Sequence, residues 1–173
     1  LNSKADFIIV GGGIANTFLK SQGFNVGESL VENDMIEIAE DLFNSGKIIL
    51  PNEVIVADSI DSNHSTIKNI DSVSSSDKIF DINLSSNMSE ILKSSKIILW
   101  NGPIGVFEKK PFQKGTNQLA KTIAKSKAFS LAGGGETIAA INKFINKDEV
   151  SYCSTGGGAF LEYMEGKILP SIE

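Results

Sequence analysis

Residues 6–19 read DFIIVGGGIANTFL. An apolar run of strand length, Phe7-Ile8-Ile9-Val10, meets Gly11-Gly12-Gly13 and passes at once into a helical pattern from Ile14. A strand that enters a helix through bare glycines is the unit of a parallel sheet, because parallel strands need helical crossovers. The junction recurs twice. Phe129 to Ala132 leads into Gly133-Gly134-Gly135, and Val150 to Cys153 leads toward Gly156-Gly157-Gly158. Triple glycine removes every Cβ, so a ligand can approach the backbone closely. The helix start beyond it offers N–H groups and a positive dipole end, which attract phosphate. In an open α/β sheet such turns lie along the carboxyl edge, where ligands bind. The three triplets are therefore expected to form one site; the rival reading is that they only let helix and strand pack closely.

Working outward, strand-length runs alternate with helical patterns along the whole chain. Ile14 to Gln22 reads as a helix closed by Gly23, and Val31 to Asn44 as a second, with Met35, Ile38, Ala39 and Leu42 on one face and Gly46 after it. Ile48-Ile49-Leu50 and Val54-Ile55-Val56 are short strands separated at Pro51, which cannot donate to a ladder. Ser59 to Asp77 is polar and aperiodic, with a weak hairpin expected around Thr66 to Val73. Further helices are predicted over Ser86 to Ser94 and Gln113 to Ser126, with a strand from Lys96 to Trp100 between them. The sum is an α/β chain, doubly wound, with a mainly parallel sheet and helices on both faces in three layers. No linker divides it, so residues 1–173 are expected to form a single domain.

Composition narrows the function classes. The 173 residues are 41% hydrophobic, enough for a core, and carry a net charge of −5 with no arginine anywhere. An acidic chain without arginine makes a poor nucleic-acid binder. No run approaches the ~18–20 unbroken apolar residues that span a bilayer, and no basic-then-apolar leader is present. A single cysteine, Cys153, fits a reducing compartment. A cytoplasmic protein is expected, binding neither nucleic acid nor membrane. The opening on Leu1 reads as a piece cut from something longer.

A second constellation lies at Trp100-Asn101-Gly102-Pro103-Ile104-Gly105-Val106-Phe107-Glu108, a run of turn formers after a strand. Asn101 can offer amide hydrogen bonds, and Glu108 can accept from a ribose diol; standing alone, the segment reads more readily as a structural turn capped by an exposed glutamate. Glu136 follows the second triplet and either complements the helix dipole or holds Mg²⁺ that bridges phosphates. Thr137 beside it is a candidate hydroxyl donor to phosphate. Two familiar phosphate motifs are missing. Asn16 stands where a G-x-G-x-x-G pattern needs its third glycine, and no G-K-[S/T] follows any triplet. His64 falls in the polar stretch and reads as solvated, while Cys153 and Trp100 read as core.

Five colinear blocks, DFIIVGGGIANTFL, LPNEVIVAD, ILWNGPIGVFE with FQKGT, SLAGGGET, and STGGGAFLEYMEGKILP, resemble the C-terminal, nucleotide-binding domain of phosphoglycerate kinase. The resemblance implies a Rossmann-like fold and a glycolytic kinase that moves a phosphoryl group between 1,3-bisphosphoglycerate and ADP with Mg²⁺. It implies that Gly11 and Gly12 border the adenine, and that Asn101, Pro103, Gly105 and Val106 line the ribose and phosphate path. Glu108 would meet the ribose hydroxyls, and Gly134, Gly135, Glu136 and Thr137 the phosphates and metal. Gly156, Gly157 and Gly158 would aim a helix start at the transferring group.

Two departures stand out: Glu136 replaces the family's usual aspartate, and Asp81-Ile82-Asn83-Leu84 replaces a D-I-G-P-type stretch. The family's catalytic-region lysines and its phosphoglycerate-binding N-terminal domain have no counterpart here. Phosphoryl transfer needs cationic clamps, so the isolated chain is expected to bind ADP or ATP without turnover, as part of an enzyme that is monomeric when intact. The alternatives are a non-catalytic nucleotide-binding remnant and, on Gly11-x-Gly13 alone, an NAD-binding oxidoreductase domain.

Overall fold

A computed structural model describes residues 4–154. The first strand, β1 (Ile8–Ile9), runs into helix α1 (Gly12–Ser21), and α2 (Ile36–Phe43) leads to β2 (Ile48–Ile49). β1 and β2 pair in parallel, Ile8 opposite Ile48. Val10, Ala15, Phe18, Ala39 and Ile48 make a small core where α1 and α2 meet these strands. β3 (Glu53–Ala57) lies between β4 (Thr66–Asn69) and β5 (Lys78–Ile82), antiparallel to both. After α3 (Ser86–Ser94) the chain builds a parallel sheet of β6 (Ile97–Asn101), β7 (Phe129–Gly133) and β8 (Tyr152–Ser154), with α4 (Lys114–Lys125) and α5 (Gly135–Phe144) as crossovers.

Side-chain alternation explains how the larger core forms. Along β6, Ile98 and Trp100 turn inward; along β7, Ser130 and Ala132 do the same. They join Val54, Val56, Ile79 and Ile82 from the antiparallel sheet with Met88, Leu92, Leu119, Ile123 and Ile141 from the helices. The expected α/β class with parallel strand pairs is thus present. The parallel pairing lies in two ladders, with the antiparallel ladder a separate unit beside them.

Three local expectations differ. The second helix starts at Ile36, after a single 3₁₀ turn at Asn33–Met35, and not at Val31. Side chains of α1 hold the segment before it: Asn16 Nδ2 donates to the Leu30 carbonyl at 3.2 Å, and Thr17 Oγ1 accepts the N–H of Glu32, whose backbone is extended, at 3.1 Å. The polar stretch forms no hairpin of its own. Thr66–Asn69 pairs with β3, and Ile70 and Val73 turn into the core. β5 was not foreseen, because Lys78 and Asp81 interrupt its apolar pattern.

Candidate functional site

The loop that leaves β6 is tied at almost every residue to a different element. Trp100 Nε1 donates to the Gly102 carbonyl at 2.8 Å. The Gly102 N–H donates to Thr137 Oγ1 at 2.7 Å, and that hydroxyl in turn donates to the Gly133 carbonyl at 2.6 Å. The Ile104 N–H donates to Thr116 Oγ1 at 3.2 Å, and the Val106 N–H to the Phe80 carbonyl at 2.8 Å. Lys143 Nζ donates to the Phe107 carbonyl at 2.7 Å and sits over the Phe107 and Phe144 rings. A loop so rich in glycine and proline would otherwise wander; here its backbone is set by α4, α5 and β5.

The same loop joins two of the glycine turns. The Gly12 N–H, at the start of α1, donates to the Ile104 carbonyl at 3.1 Å. Gly11 must be glycine because a Cβ there would run into the Ile104 side chain. At the other end, Gly134 caps α5 with φ 94°, a left-handed conformation that disfavours any side chain. A Cβ on Gly134 would lie 3.4 Å from Asn101 Oδ1. Neither α1 nor α5 is capped by a side chain at its N-terminus. Apart from the Gly12 N–H, which the Ile104 carbonyl accepts, the first-turn N–H groups of these helices have no side-chain cap to accept them. The turns at 11–13 and 133–135 therefore flank one loop, as a single site requires. The third triplet, Gly156-Gly157-Gly158, lies outside the described residues.

The remaining candidates divide by exposure. Asn101, Glu108, Gly135 and Glu136 are exposed; Pro103 and Val106 are half-buried; Gly105 and Thr137 are buried. Thr137 is 1% exposed, and its hydroxyl is engaged within the protein, between Gly133 and Gly102. Glu136 stands in the first turn of α5. Among the described residues no cluster of three or more His, Cys, Asp or Glu could hold a metal ion.

Several contributors were not picked out in the sequence. Leu30 is 75% exposed and its Cδ2 would lie 3.3 Å from a Cβ on Gly13, which puts a bare apolar side chain beside the start of α1. Thr116 and Lys143 act on the loop from 12 and 36 residues away. Asp81 is the largest omission. It is 1% exposed, and Oδ2 accepts the Gly115 N–H at 2.7 Å. Burial pushes its pKa up to about 7, against the opposing pull of the Gly115 and Ile82 N–H groups and of Lys114. A charged residue between Phe80 and Ile82 was the available signal. Asp77, before β5, shifts the other way. Burial would raise it, but Lys68 Nζ at 2.6 Å and the Ser74 N–H at 2.7 Å hold the carboxyl below its ordinary value.

The phosphoglycerate kinase family model matches residues 1–167. A phosphoglycerate kinase of Coxiella burnetii is 49% identical over 181 residues, covering 100% of this chain and 46% of its own. That of Vibrio campbellii is 51% identical over 176 residues, again covering 100% of this chain and 46% of its own. Among solved structures, the phosphoglycerate kinase from Coxiella burnetii superposes with a TM-score of 0.93 at 48% identity, over 99% of this chain and 46% of that one. The kinase from Pyrococcus horikoshii OT3 superposes with a TM-score of 0.80 at 33% identity, over 97% and 44%. The chain thus spans about half the length of the relatives it matches.

Proposed function

The chain belongs to the phosphoglycerate kinase family, and from that premise we propose that it is the nucleotide-binding domain of such an enzyme, binding ADP or ATP with Mg²⁺. The observation that carries this reading is the loop 101–107, whose backbone is hydrogen-bonded to the starts of α1, α4 and α5. Helix starts without side-chain caps favour anionic ligands, and a loop fixed before binding loses little entropy on binding.

In this reading Gly11 and Gly12 approach the base, with the exposed side chains of Ile14 and Leu30 beside them as apolar surface. Asn101, Pro103, Gly105 and Val106 follow the ribose and phosphates, and Glu108 meets the ribose hydroxyls. Gly134 and Gly135 give backbone N–H groups to phosphate, with Thr137 holding that turn in shape. Glu136 would hold Mg²⁺. One exposed carboxylate fits that ion, which commonly takes one or two carboxylates and completes its shell with phosphate oxygens and water. Bound there, the metal neutralises phosphate charge. Gly156, Gly157 and Gly158 complete the reading at the transferring group.

The whole enzyme's reaction moves the phosphoryl group of 1,3-bisphosphoglycerate to the terminal phosphate oxygen of ADP and leaves 3-phosphoglycerate. We assign that turnover to this chain only in company with a phosphoglycerate-binding domain, in a cytoplasmic, monomeric enzyme. No helix among the described residues is long and apolar enough to cross a membrane.

The test is calorimetric titration with MgADP, alongside a coupled assay for ATP formation. Micromolar binding that weakens about tenfold or more in Glu136→Ala and on metal removal, without turnover, is expected. A folded chain that binds NADH but not MgADP would overturn the reading.

A further inference from the structure

β5 ends beneath the loop and brings a carboxyl group to it. Asp81 is buried, with Ile55 of β3 opposite it, and Oδ2 accepts the Gly115 N–H at 2.7 Å. Oδ1 is buried and has no hydrogen-bond partner. Two glycines make room for this group, because a Cβ on either Gly105 or Gly115 would collide with the carboxyl. The residues adjoining these glycines carry the loop's other ties: Val106 N–H to the Phe80 carbonyl, and Ile104 N–H to Thr116 Oγ1. One carboxyl group therefore touches the loop on one side and the start of α4 on the other.

We propose that Asp81 is a positioning residue for nucleotide binding: acting through Gly115 and Gly105, its carboxylate fixes the start of α4 and the height of the Gly102–Phe107 loop. The proposal rests on the nucleotide-binding reading above. A charged acceptor holds an N–H roughly twice as strongly as a neutral one, and the carboxylate also faces the positive end of α4. The charge acting on it is that of Lys114, from the first turn of α4. β3 and the loop face it with Ile55 and Gly105, which carry no charge. Protonation weakens the hold on Gly115 and lets the loop relax. Asparagine copies the protonated acid in shape, keeps an acceptor, and does not titrate.

The experiment compares the wild-type chain with Asp81→Asn at pH 5.5 and pH 8, by amide NMR and by MgADP titration. In the wild type the amides of Gly105, Val106 and Gly115 should titrate together with a midpoint near 7, and in Asp81→Asn they should stay flat. The ligand's own phosphate titration is common to both proteins and cancels in the ratio of their Kd values. That ratio should rise from about one at pH 5.5 to about fivefold weaker binding by Asp81→Asn at pH 8. Amides that do not titrate in the wild type, or that titrate unchanged in Asp81→Asn, overturn the proposal; the first needs no variant to fold. Titrating amides with a constant Kd ratio overturn the link to the nucleotide. Wild-type protein that binds no MgADP while its amides titrate as expected keeps the loop-setting role and removes the nucleotide-binding reading instead.

Discussion

Replacing Thr137 by valine removes one hydroxyl and almost no volume, so its effect isolates the tie between the two ends of the site. The wild-type hydroxyl makes two bonds, to the Gly133 carbonyl at 2.6 Å and from the Gly102 N–H at 2.7 Å, in a side chain that is 1% exposed. A buried hydrogen bond contributes about 1 kcal/mol net, and stranding a buried partner costs about 1–3 kcal/mol. With valine filling the space there is no cavity cost, and partial rehydration of the half-buried Gly102 limits the penalty. The expected loss is about 2 kcal/mol. Urea unfolding followed by Trp100 fluorescence measures it, since the Trp100 indole donates to the same Gly102. The m-value should not change. Thr137→Ser keeps the hydroxyl and should lose less than half as much. A Thr137→Val protein within about 0.5 kcal/mol of wild type, or a serine variant as damaged as valine, would refute the reasoning.

Other expectations follow from the same contacts. The Asp81 pKa of about 7 exceeds its reference of 3.8 by about 3 units, and at about 1.36 kcal/mol per unit this makes a burial cost of about 4 kcal/mol. Because the folded value is the higher one, the cost is absent below pH 4, grows between pH 4 and 7, and is complete above. Asp81→Asn should therefore flatten that decline and unfold at higher urea at pH 8, while binding nucleotide less well there; a steeper decline would contradict the sign. Lys143→Met should lose about 1–2 kcal/mol, because the Phe107 carbonyl forfeits a charged donor and two rings forfeit a cation. Thermal unfolding checks it, and an unchanged midpoint would count against the Lys143 tie.

How much was legible in the sequence follows from the range of each interaction. The junctions at Gly11–Gly13 and Gly133–Gly135 were readable because strand, glycine turn and helix are adjacent in the chain. Their convergence on one loop was readable in outline, from the rule that parallel strands place such turns on one edge. The ties that hold the loop were not. Thr116 and Lys143 are ordinary helical residues until folding brings them to residues 104 and 107, and the Thr137 hydroxyl, read in the sequence as a donor to phosphate, is taken up by residues 102 and 133. Gly115 looked like a helix-start residue, and its need to lack a Cβ appears only with Asp81 beside it. β5 was hidden for the same reason, since its aspartate is buried by tertiary contacts that no local pattern encodes.

Hydrogen exchange of the chain with and without MgADP tests the central claim most directly. The account predicts slower exchange at the amides of residues 12–14, 102, 104–106 and 134–137, with β3, β4 and α3 unchanged. A folded chain whose protection changes nowhere, or changes only away from those three segments, would contradict it.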